Sequence, residues 1–426
     1  MKRILLITSV LPWPLRRNGG AQRSALLKKA LEHWGHVDVF AVGGRELQEG
    51  DPGFTDKLIA ANVTQCLVRR PRPLKPPFYM LGPLGNLWRT VRGYESNYQT
   101  DPEVAILLDH AIAAHQYDLI VSRYLQPALQ SGIDRHPAIP ALLDFDDIDW
   151  ATFDIDQAAK PWPGLGGKVG ARLVRDAIKT RCDRAMPRFR KIFVTSQEDR
   201  ALLDTSVPSS RPATTKSTKS AVDVLPNIPF SERDDVGLDP VAPARESREL
   251  LFVGDLQFPP NRDGLDRFLN RIWPTIRIAI PDASVSVVGR GLTDDRAANW
   301  RGIGGVNVIG FAPDLVDCYR RCAFTVVPIY FGGGTKIKVL ESLAYGRTVV
   351  TTPSAMRGYA QLAEQMPAVA VASDDDEFAA ACIRLLQSPD LRDAMAERGR
   401  MIVAREFSFS GFRQVVDRAL HEVFGQ

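Results

Sequence analysis

The sequence has few cysteines and no long apolar run. Its 426 residues include five cysteines, an odd number without the paired spacing of a zinc site or a disulfide framework: Cys66, Cys182, Cys318, Cys322 and Cys382. We therefore expect reduced thiols and a cytoplasmic protein rather than a disulfide-stapled secreted one. No segment approaches the roughly 18 to 20 consecutive apolar residues of a membrane helix, so membrane contact would have to be peripheral.

The chain also carries little net charge. Its formal charge of +4 is small for a chain of this length, and the composition indicates no nucleic-acid partner. With 45% hydrophobic and 24% charged residues, there is enough apolar material for the cores of two or three domains. The opening "MKRILLITSV" imitates a signal peptide but lacks a small-residue cleavage site, and we interpret it as a buried first strand.

Strand and helix patterns alternate along the chain in two series. Residues 3–10 are almost continuously apolar, a helical pattern follows the Gly19-Gly20 pair, and "HVDVFAVGG" is a second strand. A right-handed crossover between these strands places the glycine pair at the carboxyl edge of a parallel sheet, where such sheets bind ligands. A second, more regular series begins with "ELLFVGDL". The sequence thus predicts an α/β fold with two doubly wound, Rossmann-like domains.

Changes in composition predict the domain boundaries. We expect residues 1–230 to form the first domain and residues 249–407 the second, joined by a polar, proline-containing linker at 231–248. A last helical pattern at 408–426 is expected to pack back on the first domain.

A triple glycine separates a strand pattern from a helix pattern in the second series, in "PIYFGGGTKIKVLESLAYG". The glycines allow positive φ and close approach of a ligand, and the helix start that follows them, with Lys336 and Lys338, is suited to a phosphate. The alternative is a tight strand-to-helix turn with solvated lysines, and Gly19-Gly20 poses the same choice. Two such turns, one in each half, favour a cleft that holds an anionic ligand from both sides.

Six segments then carry a resemblance along nearly the whole chain: "TSQEDRALL", "VLPNIPF", "LLFVGDLQFPPNRDGLDRFL", "VSVVGRG", "VNVIGFAPDLVDCYRRCAFTVVPI" and "GGGTKIKVLESLAYGRTVV". In this order they resemble glycosyltransferases of the GT-B fold, in particular family 4 (group 1). The resemblance implies two Rossmann-like domains facing across a cleft and a nucleotide-sugar donor bound by the second domain. It also implies that no divalent metal is needed.

Individual positions match this family unevenly. Glu341 matches the second of two family glutamates eight positions apart, the one that hydrogen-bonds the ribose hydroxyls of the donor. Gly333 stands at the position of the first glutamate, and Asp255 at that of an arginine that holds the diphosphate. Arg262 remains as the basic residue of that segment able to supply the charge.

Residue chemistry and the resemblance together give a candidate site. Lys336 and Arg262 are the candidates for stabilising negative charge on a leaving phosphate, and Asp147 is the candidate acceptor contact or base. Donor binding is assigned to Gly19, Gly20, Asn261, Gly289, Phe311, Gly333, Gly334, Thr335 and Glu341. We expect no cofactor and no metal ion.

The acidic stretch "LLDFDDIDWATFDID" offers an alternative, because it contains D-x-D windows of the kind with which the other glycosyltransferase fold binds manganese. Against a metal stands the second α/β domain, which that other fold lacks. Carboxylates after a strand also commonly cap helices or face solvent. The position at a strand end is what makes Asp147 a candidate acceptor residue.

Two basic segments raise the question of membrane contact. Residues 69–92 combine basic, proline and aromatic residues, which suits either an interfacial loop at anionic headgroups or a solvated surface loop. Residues 168–191 predict an amphipathic helix with Val169, Leu173, Ala177 and Ile178 facing inward and a solvated basic face.

The sequence therefore predicts a glycosyltransferase that uses a nucleotide-diphosphate sugar and a saccharide or lipid-linked acceptor, with retention of configuration, in surface or exopolysaccharide assembly. Anionic membrane is a further candidate partner. The alternatives are a nucleotide-sugar epimerase or a phosphorylase of the same architecture. A third is a non-catalytic binding subunit, which the missing glutamate and arginine would permit.

Overall fold

The computed structural model describes residues 1–12, 19–43, 63–68, 82–204, 221–229, 238–312, 314–363 and 367–425, with backbone alone for 63–68 and 82–86. The chain divides into two compact units, Met1–Leu225 with Arg413–Gln426 and Pro226–Phe412. The first unit thus ends before the predicted boundary at residue 230. Of the residues predicted to be a linker, 238–248 belong to the second unit, and the rest lie outside the described residues.

The first unit contains a seven-stranded parallel sheet in the order β3-β2-β1-β4-β5-β6-β7. Its strands are β1 Lys2–Thr8, β2 Gly35–Gly43, β3 Val63–Val68, β4 Leu119–Arg123, β5 Ala141–Asp144, β6 Lys191–Val194 and β7 Val222–Val224. Residues 4–7 of β1 are fully buried, as a strand covered on both faces requires. The strand order reverses between β1 and β4, which makes their carboxyl ends the place where a doubly wound sheet binds ligands.

Helices cover both faces of this sheet: α1 Gly19–Glu32, α2 Gly82–Ser96, α3 Pro102–Ala114, α4 Leu125–Gln130, α5 Asp149–Ala159, α6 Gly164–Ala185 and α7 Gln197–Asp204. Capping residues determine where such helices begin, and α3 is an example. The Asp101 side chain accepts hydrogen bonds from the backbone N–H groups of Glu103 and Val104, and Pro102 occupies the first helical position.

The second unit repeats the same winding with six parallel strands in the order β10-β9-β8-β11-β12-β13. They are β8 Glu249–Val253, β9 Ser284–Val288, β10 Val306–Gly310, β11 Phe324–Val327, β12 Val349–Thr351 and β13 Val369–Val371. The helices are α8 Pro259–Arg267, which runs through a π turn at Phe268–Ile272 into α9 Trp273–Ala279, then α10 Asp294–Arg301, α11 Val316–Arg321, α12 Ile337–Ala344, α13 Asp375–Gln387 and α14 Pro389–Glu406. Here the order reverses between β8 and β11.

The last helix, α15 Phe409–Phe424, joins the first unit from Arg413 onward. It buries Val416, Ala419 and Leu420 fully. Two polar contacts add to this: the indole N–H of Trp34 donates to Asp417 over 2.7 Å, and Lys191 pairs with Glu422 at 2.7 Å. None of the helices in the described part of the chain is long and apolar enough to cross a membrane.

Glycines allow close approach of backbone segments around β8 and β11. A Cβ atom on Gly264, in α8, would lie 1.9 Å from the carbonyl oxygen of Pro328, directly after β11. A Cβ on Gly289, directly after β9, would lie 1.8 Å from the carbonyl oxygen of Gly254, directly after β8. Both contacts are with backbone, which cannot move aside as the end of a side chain can.

We therefore expect Gly264→Ala to lower the free energy of unfolding of the second unit by about 3 kcal/mol, because α8 must move away from the strand end. Gly304→Ala is the matched control, since its Cβ would meet only the end of Arg277 at 3.9 Å. Urea unfolding followed by circular dichroism measures both. Equal stability of the two variants would contradict this account of the packing.

Candidate functional site

The glycine turn of the second unit follows β11 at the point where the strand order reverses. Gly332 and Gly334 have φ values of +100° and +64°, a region that side chains rarely adopt. A Cβ on Gly332 would also lie 2.8 Å from Cγ of Pro260, at the start of α8. The turn therefore needs glycine both for its backbone conformation and for its contact with the first turn of α8.

Lys336 is directed into this turn. Its ammonium group donates to the carbonyl oxygens of Gly332 at 3.1 Å and Gly334 at 3.2 Å, and also to that of Gly333. The side chain is buried, with 7% exposure. In this conformation Lys336 stabilises the turn, and its role in neutralising a leaving phosphate stays a prediction.

Lys338 is the cation that the structure places at the end of β8. Its Nζ atom donates to Oδ1 of Asn261 over 2.7 Å and lies 5.1 Å from the ring centroid of Phe252, while the Asn261 amide donates to the carbonyl oxygen of Asp255 over 2.8 Å. Burial, together with the charge of Lys336, lowers the pKa of Lys338 to about 7, against the opposing charges of Glu341 and Asp255. The sequence indicated a charged lysine near the turn but not this environment.

Asp255, at the position where the resemblance leads one to expect an arginine, binds an arginine from the next strand. Nε and Nη2 of Arg290 donate to Oδ2 of Asp255 at 3.0 and 2.8 Å. Arg290 follows Gly289 at the carboxyl end of β9, so it reaches the same edge of the sheet as the loop after β8. Sequence reasoning missed Arg290, and the available signal was a basic residue directly after a glycine at a strand end. Arg262 pairs with its neighbour Asp263 at 3.2 Å.

The other predicted donor residues of the second unit lie on elements around this edge. The Thr335 hydroxyl accepts a hydrogen bond from the Asn227 side chain over 2.8 Å. Glu341 lies on α12, one turn after Lys338, and its charge acts on that lysine. Phe311 follows β10, two strands away from β8, and is 63% exposed. Their roles in donor binding stay predictions.

The first unit brings four charged side chains together at the ends of its strands, and we call Arg23, Arg123, Asp144 and Asp146 the buried charge cluster. Arg23 donates through Nε and Nη2 to the two carboxylate oxygens of Asp144 at 2.8 and 2.5 Å. Arg123 donates to Asp146 at 2.5 Å and lies 3.5 Å from Asp144. Exposure is between 0% and 8% for all four residues.

The cluster accounts for two features of the sequence. Arg23 points into the interior, and the carbonyl oxygen of Gly20 accepts a hydrogen bond from Arg123 over 2.7 Å, so these groups hold α1 in place. Gly19 is the first residue of α1. The carboxylates of the first D-x-D window are already neutralised by guanidinium groups, and no group of three or more His, Cys, Asp or Glu side chains in the described ranges could hold a metal ion. The role of Asp147, the next residue, stays a prediction.

The predicted inward face of α6 is wrong for two of its members. Val169 and Leu173 are 52% and 46% exposed, and Leu165 is 82% exposed. The helix instead buries Gly170, Val174, Ile178 and Cys182. The reason is the contact at Gly170, where a Cβ would lie 3.2 Å from Leu87, so α6 packs through the stripe that contains this glycine. Of the other basic segment, residues 69–81 lie outside the described residues.

The glycine turn of the second unit lies within a segment that matches a known protein family. Residues 247–388 match the family model of the glycosyl transferases group 1, a range that contains the glycine turn, Lys338 and Arg290. No curated protein matches the chain at a significant level. The matched residues all lie within the second unit.

Solved structures share the fold along the whole chain. A sucrose-phosphate synthase from Thermosynechococcus elongatus is 18% identical, with 100% of both chains covered and a TM-score of 0.64. HepE from Anabaena, in complex with UDP, is 16% identical, with 99% of this chain and 100% of that chain covered and a TM-score of 0.62. A UDP-forming trehalose-phosphate synthase from Burkholderia xenovorans is 13% identical, with 99% of both chains covered and a TM-score of 0.60.

These likenesses show that the chain has the GT-B fold, and the match to the group 1 glycosyl transferases covers residues 247–388 of it. The predicted fold class is thereby confirmed for the chain, and the predicted resemblance to group 1 glycosyltransferases is confirmed for residues 247–388.

The lowered pKa of Lys338 gives a testable dependence of stability on pH. Between about 7 and the ordinary lysine value of 10.5, the folded protein holds fewer protons at this site than the unfolded chain. The free energy of unfolding should therefore rise with pH across this window, by at most about 1.4 kcal/mol per pH unit. Below this pH window Lys338 is protonated in the folded protein too, and the cost of holding its charge away from water lowers the free energy of unfolding.

We expect Lys338→Met to remove this contribution, so that its stability exceeds that of the wild type most near pH 7 and least at alkaline pH. Lys168→Met, which replaces an exposed lysine on α6, is the control and should keep the wild-type profile. Urea unfolding over the pH series provides the measurement. Parallel profiles for Lys338→Met and the wild type would show that this lysine is not held in its neutral form.

Proposed function

We propose that the protein transfers a sugar from a nucleotide-diphosphate sugar, bound at the carboxyl edge of β8 and β11, to a saccharide or lipid-linked acceptor on the side of the first unit. The observation that carries this proposal is that the family match covers the strand-order reversal together with its glycine turn, Lys338 and Arg290. HepE was solved with UDP, which makes a uridine nucleotide the first donor to test. The product we propose is part of a surface or exopolysaccharide.

Charge on the leaving group determines what this site must do. Transfer breaks the bond between the anomeric carbon and the phosphate oxygen and leaves negative charge on the β-phosphate, so preorganised donors aimed there lower the barrier most. Lys338, Arg290 and the amides of the glycine turn are the groups near β8 and β11 that can supply this stabilisation, with Arg262 beside them on α8. We propose that they do so without a divalent metal and with retention at the anomeric carbon, as the resemblance implies.

Bound phosphate would change the protonation of the site. A nearby anion favours the ammonium form of a lysine, so donor binding raises the pKa of Lys338 from about 7 and takes up a proton at alkaline pH. Glu341 on α12 is assigned to the ribose hydroxyls, where its carboxylate would accept hydrogen bonds.

Isothermal titration with UDP and UDP-glucose, followed by other nucleotide sugars, tests the proposal. We expect saturable binding by the wild type and about tenfold weaker binding by Glu341→Ala, because a hydrogen bond to the ribose is lost. Lys338→Met should weaken binding further and abolish proton uptake at alkaline pH, which titration in buffers of different ionisation enthalpy detects. Glu397→Ala, which removes an exposed carboxylate paired with Arg400 on α14, is the control.

The outcomes separate the candidate functions. No binding of any nucleotide sugar would contradict the proposed function, and unchanged affinity in Glu341→Ala would contradict the ribose assignment alone. Binding without turnover would identify a non-catalytic subunit, which Gly333 in place of the first glutamate favours. An epimerase would convert the donor without an acceptor, and a phosphorylase would show the absorbance of pyridoxal phosphate.

The proposed location is the cytoplasm, with peripheral contact at anionic membrane through α6. Four of the cysteines, Cys182, Cys318, Cys322 and Cys382, are buried free thiols, which is usual for a reducing compartment. Leu165, Val169 and Leu173 form an exposed apolar stripe on α6, and the exposed basic residues Lys168 and Arg172 lie next to it on the same helix. Apolar side chains beside basic ones suit the boundary between anionic headgroups and acyl chains.

Co-sedimentation with anionic liposomes at low salt tests the membrane contact. The triple variant Leu165→Gln, Val169→Gln, Leu173→Gln should bind at least about tenfold more weakly, because it removes the apolar part of the contact. The control is Ile106→Gln, Ile278→Gln, Met401→Gln, which replaces three apolar residues with exposures of 51%, 83% and 60% on other helices. Equal binding by both variants, or none by the wild type, would exclude this surface.

A further inference from the structure

Tyr124, directly after β4, has a backbone conformation that other residue types rarely adopt. Its φ of +70° and ψ of 152° lie in a region populated almost entirely by glycine. Among the described residues it is the only non-glycine with a positive φ. Such conformations persist where the surrounding structure enforces them, and they concentrate at functional sites.

The buried charge cluster is what enforces this conformation. The guanidinium carbon of Arg123 lies 4.5 Å from the centroid of the Tyr124 ring. The hydroxyl group of Tyr124 accepts a hydrogen bond from Nη2 of Arg123 over 2.9 Å. Arg123 is itself held by Gly20, Ser24 and Asp146 at 2.7, 3.0 and 2.5 Å. The phenol is therefore fixed in position by groups that cannot move independently.

The hydroxyl group of Tyr124 donates only a long hydrogen bond. Arg123 donates to the phenol oxygen, and the phenol's own proton is donated to Oδ2 of Asp146 over 3.5 Å, at the outer limit of a hydrogen bond. Burial raises the pKa of Tyr124 well above its ordinary value, so the group stays protonated and able to donate. Tyr124 is half-buried and lies at the strand-order reversal of the first unit.

We propose that Tyr124 is a binding residue of the acceptor side, whose phenol donates a hydrogen bond to a hydroxyl group of a saccharide, and that the buried charge cluster positions it. This inference rests on the proposed function only in that the acceptor is a saccharide. A tyrosine that merely covers Arg123 would not require the strained backbone, since glycine fits this backbone without strain, and the long hydrogen bond to Asp146 leaves the phenol proton available to a stronger acceptor.

A matched pair of variants tests the strain. Tyr124→Gly and Tyr124→Ala both remove the ring and the hydroxyl, and at an ordinary position alanine gives the higher Tm because it restricts the unfolded chain. We expect the reverse here, with Tyr124→Gly melting above Tyr124→Ala, since only glycine adopts this conformation without strain. A higher or equal Tm for Tyr124→Ala would remove the premise of the proposal.

Ligand contact is tested on the full chain labelled with 3-fluorotyrosine and followed by ¹⁹F NMR, with methyl and n-octyl β-D-glucopyranoside as probes. The resonance of Tyr124 is assigned by its loss in Tyr124→Phe. We expect it to shift saturably with at least one probe, while the resonance of Tyr117, whose hydroxyl donates to Asp38 over 2.9 Å, stays in place. We also expect Tyr124→Phe to bind that probe about tenfold more weakly.

A Tyr124 resonance that moves with neither probe overturns the proposal, as does equal affinity of Tyr124→Phe and the wild type. Because no nucleotide is present in this experiment, its result is independent of donor binding. Absence of nucleotide-sugar binding in the calorimetric titrations would contradict the proposed function. It would not decide whether Tyr124 contacts a saccharide, which the NMR experiment measures by itself.

Discussion

Reversal of strand order between β8 and β11 is the constraint on which the candidate donor site depends. The chain leaves these adjacent parallel strands toward opposite faces of the sheet, and the loops that follow them separate at its carboxyl edge. Close backbone contacts hold the loops there: Gly264 lies against the carbonyl of Pro328, and Gly289 against that of Gly254. Lys338 and Arg290 reach the same edge only because their own elements are fixed by this packing. Without the contacts, the residues would still be present but would not converge.

A different interaction organises the first unit. Removing charged groups from water is costly, and a buried pair is stable only when its geometry is good and its remaining donors are satisfied. In the buried charge cluster two arginines face two aspartates, and other N–H groups of the arginines reach the carbonyl oxygens of Gly20 and Leu225. Nε of Arg123 makes no hydrogen bond to any described residue but lies 3.5 Å from the Asp144 carboxylate. The cluster connects α1, β4, β5 and the chain after β7. It fixes their relative positions more specifically than apolar packing alone, and it keeps Tyr124 in its strained conformation.

The sequence was sufficient for the fold, but not for the directions of the side chains around the glycine turn. Continuous apolar runs such as residues 4–7 of β1, followed by helical periodicity, predict parallel strands, and the glycine turn marks a carboxyl edge. Lys336 and Lys338 look equivalent in the sequence, yet one binds carbonyl groups of its own turn and the other crosses to Asn261. The pairing of Arg290 with Asp255 joins residues on adjacent strands, and no local pattern reveals it. For α6, a single glycine at position 170 decided which stripe faces inward.

The distribution of charge around β8 and β11 is compatible with the proposed binding of a diphosphate there. The positive charge of Arg290 is balanced by Asp255, and that of Lys336 is stabilised by the carbonyl groups of the turn. Lys338 carries less than a full charge near neutral pH because its pKa is about 7. The site therefore holds little uncompensated positive charge before a ligand arrives, which limits its cost to the stability of the fold. A diphosphate would bring the charge that makes the ammonium form of Lys338 favourable. Positive charge in the proposed donor site would then arise on binding, so that Gly333 and Asp255, which stand where the family has a glutamate and an arginine, are compatible with donor recognition.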